Sequence, residues 1–147
     1  MTQYFNNIFA AILLSSWSSA ATIAADGKVE VEVTGLKSNK GQVTIKVYQS
    51  ADGFPRDDDK AYKIQSFEIN DMQLKVTIEL LPGEYAIVVS HDENANGKVD
   101  TNFIGLPKEP LGVSNYPKIA KPNYEKAKFM IGQNDTVKLS IPVDTIL

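Results

Sequence analysis

The chain has 147 residues, of which 43% are hydrophobic and 22% are charged, and its formal net charge is −3. This composition fits one soluble domain, and it supplies neither a basic surface for nucleic acid nor a polybasic patch for anionic lipid. The absence of cysteine excludes disulfides, thiolate metal sites, cysteine nucleophiles and lipid attachment through cysteine.

The first 25 residues contain no Lys, Arg, Asp or Glu and have the pattern of an export signal. An apolar centre at residues 8–14 is followed by small residues that form three candidate cleavage sites before Asp26. A retained membrane anchor is the alternative, but the apolar segment is too short to span a bilayer comfortably. We therefore predict a signal peptide at residues 1–25, a single domain at residues 26–147, and a periplasmic or secreted protein without stable membrane insertion after cleavage.

After Asp26 apolar and polar residues alternate, which is the period of a half-buried β-strand. Strands are predicted at residues 28–35, 42–48, 64–69, 73–80, 84–91, 127–131 and 136–143. The first two are predicted to form a hairpin around a turn at residues 38–41, and residues 84–91 are apolar on both faces, as in a central strand. The side chains predicted to be largely buried are Val29, Val31, Val43, Ile45, Val47, Leu74, Val76, Ile78, Tyr85, Ile87 and Val89.

Seven closely spaced strands without a helical period predict an all-β fold, a seven-strand antiparallel Greek-key sandwich of immunoglobulin-like or transthyretin-like type. The connection at residues 92–126 is predicted to be one long loop. Loops of this length in a compact domain are usually functional, and this one is apolar enough to pack over one end of the sandwich.

The start of that connection, residues 92–100, reads DENANGKVD and has the oxygen spacing of an EF-hand loop, with glycine at the sixth position. It predicts a Ca²⁺ site, with a further oxygen from water, from Glu109 or from one of the acidic residues 57–59. The predicted ligands are Asp92, Asn94, Asn96, the Lys98 carbonyl, Asp100 and Glu109. The loop has only two carboxylates in its ligand positions, so the expected affinity is weak, on the order of 10⁻⁴–10⁻³ M.

One feature departs from the EF-hand pattern, because the twelfth position is Phe103 where such loops carry a bidentate Glu. The alternative interpretation is an Asx-rich turn without metal, since Asn and Asp side chains hydrogen-bond their own backbone in turns. His91 is interpreted as a half-buried strand residue, and residues 57–59 as a solvated loop. Residues 90–92 do not form a triad, because successive strand side chains point to opposite faces.

Four motifs occur in a fixed order: GEYAI at residues 83–87, HDENANGKVD at 91–100, GLPKEP at 105–110 and GVSN at 112–115. Together they resemble the bacterial family called domain of unknown function 2141, whose members carry G-x-Y-A, H-D-x-N-x-N-G, G-x-P-x-E and G-F-S-N. Val113 stands where the family usually has Phe. The resemblance implies an exported sandwich domain and no particular activity.

The favoured functional hypothesis is an exported non-enzymatic module whose Ca²⁺-ordered loop binds a glycan, a peptide or an envelope protein. One alternative is a purely structural envelope subunit without metal. Another is a hydrolase that uses Asp92, Asp100 and Glu109, although the sequence offers no nucleophile–base pair. No nucleic-acid partner is expected.

Overall fold

The computed structural model describes residues 26–97, 103, 108–116 and 121–145, so the predicted signal peptide lies outside the described residues. Its strands are β1 (Gly27–Thr34), β2 (Gln42–Tyr48), β3 (Lys63–Glu68), β4 (Leu74–Leu80), β5 (Gly83–Asp92), β6 (Leu111–Val113), β7 (Phe129–Ile131) and β8 (Thr136–Pro142). The described helices are a 3₁₀ turn at Asp58–Lys60 and one α-helical turn, α1, at Tyr124–Ala127.

The strands form two sheets, one of three strands in the order β4-β1-β8 and one of five, in which β3-β2-β5-β6 are neighbours and β7 also pairs with β5. Both sheets contribute to one core: β1 and β4 face β2 and β5 through their alternating apolar side chains. The all-β fold is therefore confirmed, and the two sheets pack face to face as a sandwich. The central position predicted for residues 84–91 is also confirmed, since β5 lies between β2 and the short strands β6 and β7.

The predicted burial is confirmed in full for nine of the eleven side chains, among them Ile45 and Ile87, which are 1% and 0% exposed. Leu74 and Val76 are only partly buried against the core. Both lie on β4, which among the described strands is an edge of the three-stranded sheet, with β1 as its one neighbour.

The predicted hairpin of the first two strands is wrong. β1 pairs with β4 and β8, β2 pairs with β3 and β5, and the segment between β1 and β2 crosses from one sheet to the other. Gly35 and Gly41, with φ of 79° and 76°, allow the two sharp bends of this crossing. Alternation in both strands fits a hairpin and a crossing equally well, because either arrangement turns one apolar face to the same core.

Two further expectations need correction. The sandwich is not antiparallel throughout, because β1 and β8 run parallel. The connection at residues 92–126 is not one loop, since β6 pairs with β5 inside it. A strand of three residues is too short to show a period of two, and Gly112 in its middle has no side chain to mark a face. Gly112 is needed there because a Cβ would lie 2.6 Å from the carbonyl oxygen of Pro142.

Candidate functional site

Asp92 is the last residue of β5, at the point where the strand passes into the predicted Ca²⁺ loop. Tyr85, Ile87 and Val89 of this strand face the core, so alternation turns Asp92 to the outer face of the five-stranded sheet. It is only 3% exposed, which is low for a carboxylate. A buried strand end therefore fixes the first of the predicted ligands.

The carboxylate of Asp92 organises the backbone of the loop that follows it. Oδ2 accepts the N–H of Gly97 at 2.8 Å, and Oδ1 accepts the N–H of Asn96 at 3.3 Å. On the neighbouring strand, Gln42 donates from Nε2 to Oδ2 at 3.2 Å. Asn94 adds a second local bond, because its Oδ1 accepts the N–H of Asn96 at 3.0 Å. The start of the loop is thus folded around one carboxylate.

These hydrogen bonds determine the charge state of Asp92. Burial acts to raise the pKa of its carboxyl, but bonds from the Gly97 N–H, from Gln42 and from the loop N–H groups of Asn96 and Ala95 outweigh that effect and lower the pKa below its ordinary value. Asp92 is accordingly a stabilised anion at neutral pH.

The turn has a positive φ at its sixth position, Gly97, as the glycine at that position predicts. Gly97 has a φ of 75°, and no atom of the described residues beyond its chain neighbours lies within 4 Å of the place where a Cβ would sit. Glycine is therefore required at position 97 by the backbone conformation and not by crowding. Ala95 also has a positive φ, 55°, which is unusual for a residue with a Cβ.

Glu109 is brought towards the end of β5 by the pairing of β5 and β6. The two strands are antiparallel, and beyond the end of β6 the N–H of His91 donates to the carbonyl of Pro110 at 3.0 Å, which continues the same register. Glu109, the residue before Pro110, lies at a bend where this pairing ends, next in sequence to the partner of His91. Glu109 is 7% exposed, so a second buried carboxylate lies on the chain segment that adjoins the end of β5.

Two of the remaining predicted ligands, Lys98 and Asp100, lie outside the described residues. Phe103, at the twelfth loop position, is described and is 99% exposed. Within the ranges that the structure describes, no three Asp, Glu, His or Cys side chains cluster closely enough to hold a metal ion. The predicted ligand set, however, draws several of its oxygens from Asn side chains and a backbone carbonyl.

The acidic run at residues 57–59 lies away from this site. Asp58 forms an ion pair with Lys46, a largely buried side chain four residues along β2 from Gln42. Asp57 caps the 3₁₀ turn by accepting the N–H of Asp59 at 3.1 Å. Four strand residues span about 13 Å. Of the two protein sources considered for an additional ligand, Glu109 is therefore the one whose neighbour in sequence, Pro110, is bonded to the residue before Asp92.

The same run influences Tyr48, the residue two positions after Lys46. Burial raises the pKa of Tyr48 to about 12, and the charges of Asp58 and Asp57 add to the effect. Its ring packs edge-on against Phe54 with centroids 5.4 Å apart. The segment after β2 is therefore held against the outer face of the sheet by rings and one ion pair, which is a structural role.

His91 is a fully buried strand residue and not a half-buried one. Its Nε2 lies 2.9 Å from the carbonyl oxygen of Lys40, so Nε2 must donate, and Nδ1 has no hydrogen-bond partner among the described residues. The ring points into the sandwich, whereas Ser90 and Asp92 point to the opposite face. The three successive residues therefore do not assemble as a triad.

The GVSN segment has a clear structural role at the far end of the same connection. Asn115 has a φ of 57°, and its Nδ2 donates to the carbonyls of Lys128 at 2.8 Å and Ala127 at 3.3 Å. Ser114 is fully buried and also bonds to Ala127. The motif thus fastens the end of β6 to the short helix α1 and to the chain entering β7.

Sequence reasoning did not single out Gln42 as part of the site. Gln42 stands opposite Asp92 in the β2–β5 register, and that register cannot be read from either strand alone. The only available signal was its place at the start of a strand, on the face opposite Val43.

An all-β sandwich with an Asx-rich loop ordered around a buried carboxylate defines the class of this protein. The chain belongs to the family described as an uncharacterized protein conserved in bacteria, DUF2141, whose family model matches residues 31–138. Comparison with curated proteins gave no significant match. Comparison with solved structures gave none either. In the part of the chain that the structure describes, no helix has the length and apolar character needed to cross a membrane.

Proposed function

We propose that this protein is an exported, non-enzymatic β-sandwich module in which residues 92–100 bind Ca²⁺. The bound ion orders the connection at residues 92–126, and the ordered connection presents a surface for a glycan, a peptide or an envelope protein. The observation that carries the proposal is the buried carboxylate of Asp92, around which a loop with EF-hand spacing is folded, with a second buried carboxylate, Glu109, on the adjoining segment.

The chemistry of the site supports a hard dication. Ca²⁺ takes carboxylate and carbonyl oxygens as its ligands, and two carboxylates on adjoining chain segments can supply them. Each carboxylate oxygen has two lone pairs. Oδ2 of Asp92 already accepts bonds from Gly97 and Gln42, whereas Oδ1 accepts one from Asn96 at 3.3 Å. Oδ1 is therefore the atom of Asp92 expected to coordinate the ion.

Glu109 takes over, in this proposal, the part that the last carboxylate of an EF-hand loop plays. It would reach the site from the segment that precedes β6 instead of from the loop itself, which is compatible with the exposed Phe103 at the twelfth position. With three carboxylates, two amide oxygens and one carbonyl as its predicted ligands, the site reaches the lower end of the coordination number that Ca²⁺ requires.

The competing interpretation, a metal-free Asx turn in a structural envelope subunit, draws support from the hydrogen bonds that Asp92 already makes. The two interpretations differ in one measurable property. A Ca²⁺ site stabilises the folded protein in proportion to the occupancy of the site, whereas an Asx turn does not respond to Ca²⁺.

Thermal unfolding of chelator-treated protein, with and without millimolar Ca²⁺, tests the proposal. A weak site gives a gain of about 1 kcal/mol, which is visible as a rise in melting temperature. Asp92→Ala should abolish the rise, and Glu93→Gln, a change at a loop carboxylate outside the predicted ligand set, should retain it. Equal melting temperatures of the wild type with and without Ca²⁺ would rule out the metal site.

The finer fold class also belongs to this proposal. We infer a Greek-key arrangement of immunoglobulin-like or transthyretin-like type, because the chain passes between the sheets after β1, β3, β4 and β7. The pairing of β1 with β4 and of β2 with β5, strands far apart in sequence, supports this inference.

A further inference from the structure

We propose that the free edge of β4 pairs with the β4 edge of a second copy of this chain, so that two three-stranded sheets join into one six-stranded sheet across a two-fold axis. This inference concerns a surface remote from the Asp92 loop and does not depend on the metal site. It rests on the edge position of β4, on the direction of its backbone groups and on the arrangement of its charges.

The backbone groups of β4 that face away from β1 can be assigned from two hydrogen bonds. Lys28 of β1 pairs with Glu79, and the N–H of Lys28 donates to Asp135 at 2.8 Å on the side away from β4. Lys28 and Glu79 are therefore a non-hydrogen-bonded pair, and Glu79 directs its N–H and C=O outward. In agreement, the carbonyl of Glu79 accepts a bond from Nζ of Lys63 at 3.1 Å. By alternation, Thr77 and Lys75 also direct their backbone groups outward.

The sequence of this strand, LKVTIEL, is complementary to itself about Thr77. In an antiparallel pairing centred on Thr77, Lys75 of one copy stands opposite Glu79 of the other, and the reverse pair forms on the far side of the axis. Thr77 then pairs with itself through outward backbone groups, as a hydrogen-bonded pair requires. The three pairs give about six backbone hydrogen bonds.

The charges on the exposed face of β1 and β4 are also complementary across the proposed contact between the two copies. Within one copy, Lys75 lies 3.0 Å from Glu32, and Lys28 lies 3.9 Å from Glu79. In the joined sheet each row across the axis reads Lys28, Glu79, then Lys75 and Glu32 of the second copy, so the sign alternates at every step. Opposite charges on facing strand positions are favourable, and like charges are unfavourable.

The apolar face of the same strand also fits a second copy. Leu74 and Val76 are only partly buried in the single chain. In the centred pairing Val76 stands opposite Ile78 of the second copy, and Leu74 stands opposite Leu80. The strand contains no proline, glycine or inward-pointing charge. Exposed charges on an edge strand commonly discourage pairing, but Lys75 and Glu79 are complementary to each other in this one. Lys63 blocks one carbonyl, and its flexible side chain can leave that carbonyl to the N–H of the incoming strand.

Sedimentation velocity of the purified protein, from about 1 µM to about 1 mM, tests this inference, because a small interface predicts a weak and concentration-dependent dimer. Lys75→Glu turns two attractive pairs into repulsive ones and should raise the dimer Kd about tenfold or more. Lys75→Glu combined with Glu79→Lys should bring the Kd back towards that of the wild type. Thr77→Pro should also abolish the dimer, since proline is tolerated where an edge N–H faces solvent but cannot donate.

Lys138→Glu is the matched control, because Lys138 likewise pairs with a glutamate of β1, Glu30, at 3.2 Å but lies on β8, away from the β4 edge. It should leave the dimer Kd unchanged. A wild type that stays monomeric over the whole concentration range, as it would if this edge served another protein's strand, overturns the inference. So does a Lys138→Glu variant that dissociates as much as Lys75→Glu.

Discussion

Both backbone polar groups of Ile87 are bonded to Ser114: the carbonyl accepts the Ser114 N–H at 2.9 Å, and the N–H donates to the Ser114 hydroxyl at 2.9 Å. The hydroxyl in turn donates to the carbonyl of Ala127 at 2.7 Å. A side chain therefore supplies the acceptor at the position on β5 where β6 has ended and β7 has not yet begun. The serine of the family motif thus replaces one step of a β-ladder.

Ser114→Ala should therefore destabilise the protein by about 1–3 kcal/mol, because it leaves the buried N–H of Ile87 without its acceptor and removes the shorter of the two bonds to the carbonyl of Ala127. Urea unfolding measures the change. Ser140→Ala, at an exposed serine of β8, should change stability by less than about 0.5 kcal/mol. A Ser114→Ala variant as stable as Ser140→Ala would show that the hydroxyl is dispensable.

The lowered pKa of Asp92 predicts a loss of stability in acid. A carboxyl whose pKa is lower in the folded state stabilises the protein above its unfolded pKa, near 4, and the contribution disappears as pH falls through the folded pKa. Asp92→Asn removes this contribution, so its unfolding free energy should fall less steeply than that of the wild type below about pH 4. At neutral pH the variant should be less stable by about 1–3 kcal/mol.

Asp71→Asn provides the comparison for this pH series, because Asp71 is exposed and bonds only the N–H of the next residue. Its acid profile should follow that of the wild type. Parallel profiles for all three proteins would contradict the assignment of Asp92 as a stabilised anion.

Glu109→Gln tests the ligand contributed from the segment that precedes β6. The substitution preserves size but removes a charge, so the Ca²⁺ affinity measured by calorimetry should fall about tenfold or more. Retention of full affinity would exclude Glu109 from the ligand set.

Two isoleucines on neighbouring strands, one buried and one exposed, provide a matched test of which side chains form the core. Ile45 of β2 is 1% exposed, and Ile64 of β3 is 44% exposed. Ile45→Ala should cost about 2–5 kcal/mol, since it removes buried methyl groups and leaves a cavity. Ile64→Ala should cost less than about 1 kcal/mol. Similar losses in the two variants would contradict the assignment of the faces of the five-stranded sheet.

Export predicts a processed amino terminus. Cleavage is expected between Ala20 and Asp26, where the charge-free apolar segment ends. Amino-terminal sequencing of protein from the periplasmic fraction or the medium measures it. Protein that retains Met1 would contradict the prediction of a cleaved signal.

The strands were largely predictable, whereas their partners were not. Alternation gave the bounds of β2 without error and assigned Val43 and Ile45 to the core, because a period of two is local information. The neighbours of β1 depend on how the whole chain is arranged, and its alternation is satisfied beside any strand. The parallel pairing with β8 was therefore invisible in the sequence.

The candidate site was likewise predictable in its local part and not in its long-range part. The turn at Gly97 follows from residue spacing, since its carboxylate and its glycine are five residues apart. The choice between Glu109 and residues 57–59 as the additional carboxylate could not be made, because both are distant in sequence and equally acidic. The pairing of β6 with β5 decides between the two, but β6 is a strand of three residues and leaves no recognisable pattern in the sequence.

The parallel pairing of β1 and β8 has a consequence for the time at which the protein folds. Lys28, at the beginning of β1, stands beside Thr136, at the beginning of β8. During synthesis, β1 therefore cannot pair with β8 until nearly the whole polypeptide has been made. Pairing between strands so far apart in sequence is slow. The three-stranded sheet, and the part of the core that Ile141 of β8 fills, can therefore be completed only after β8 has been synthesised.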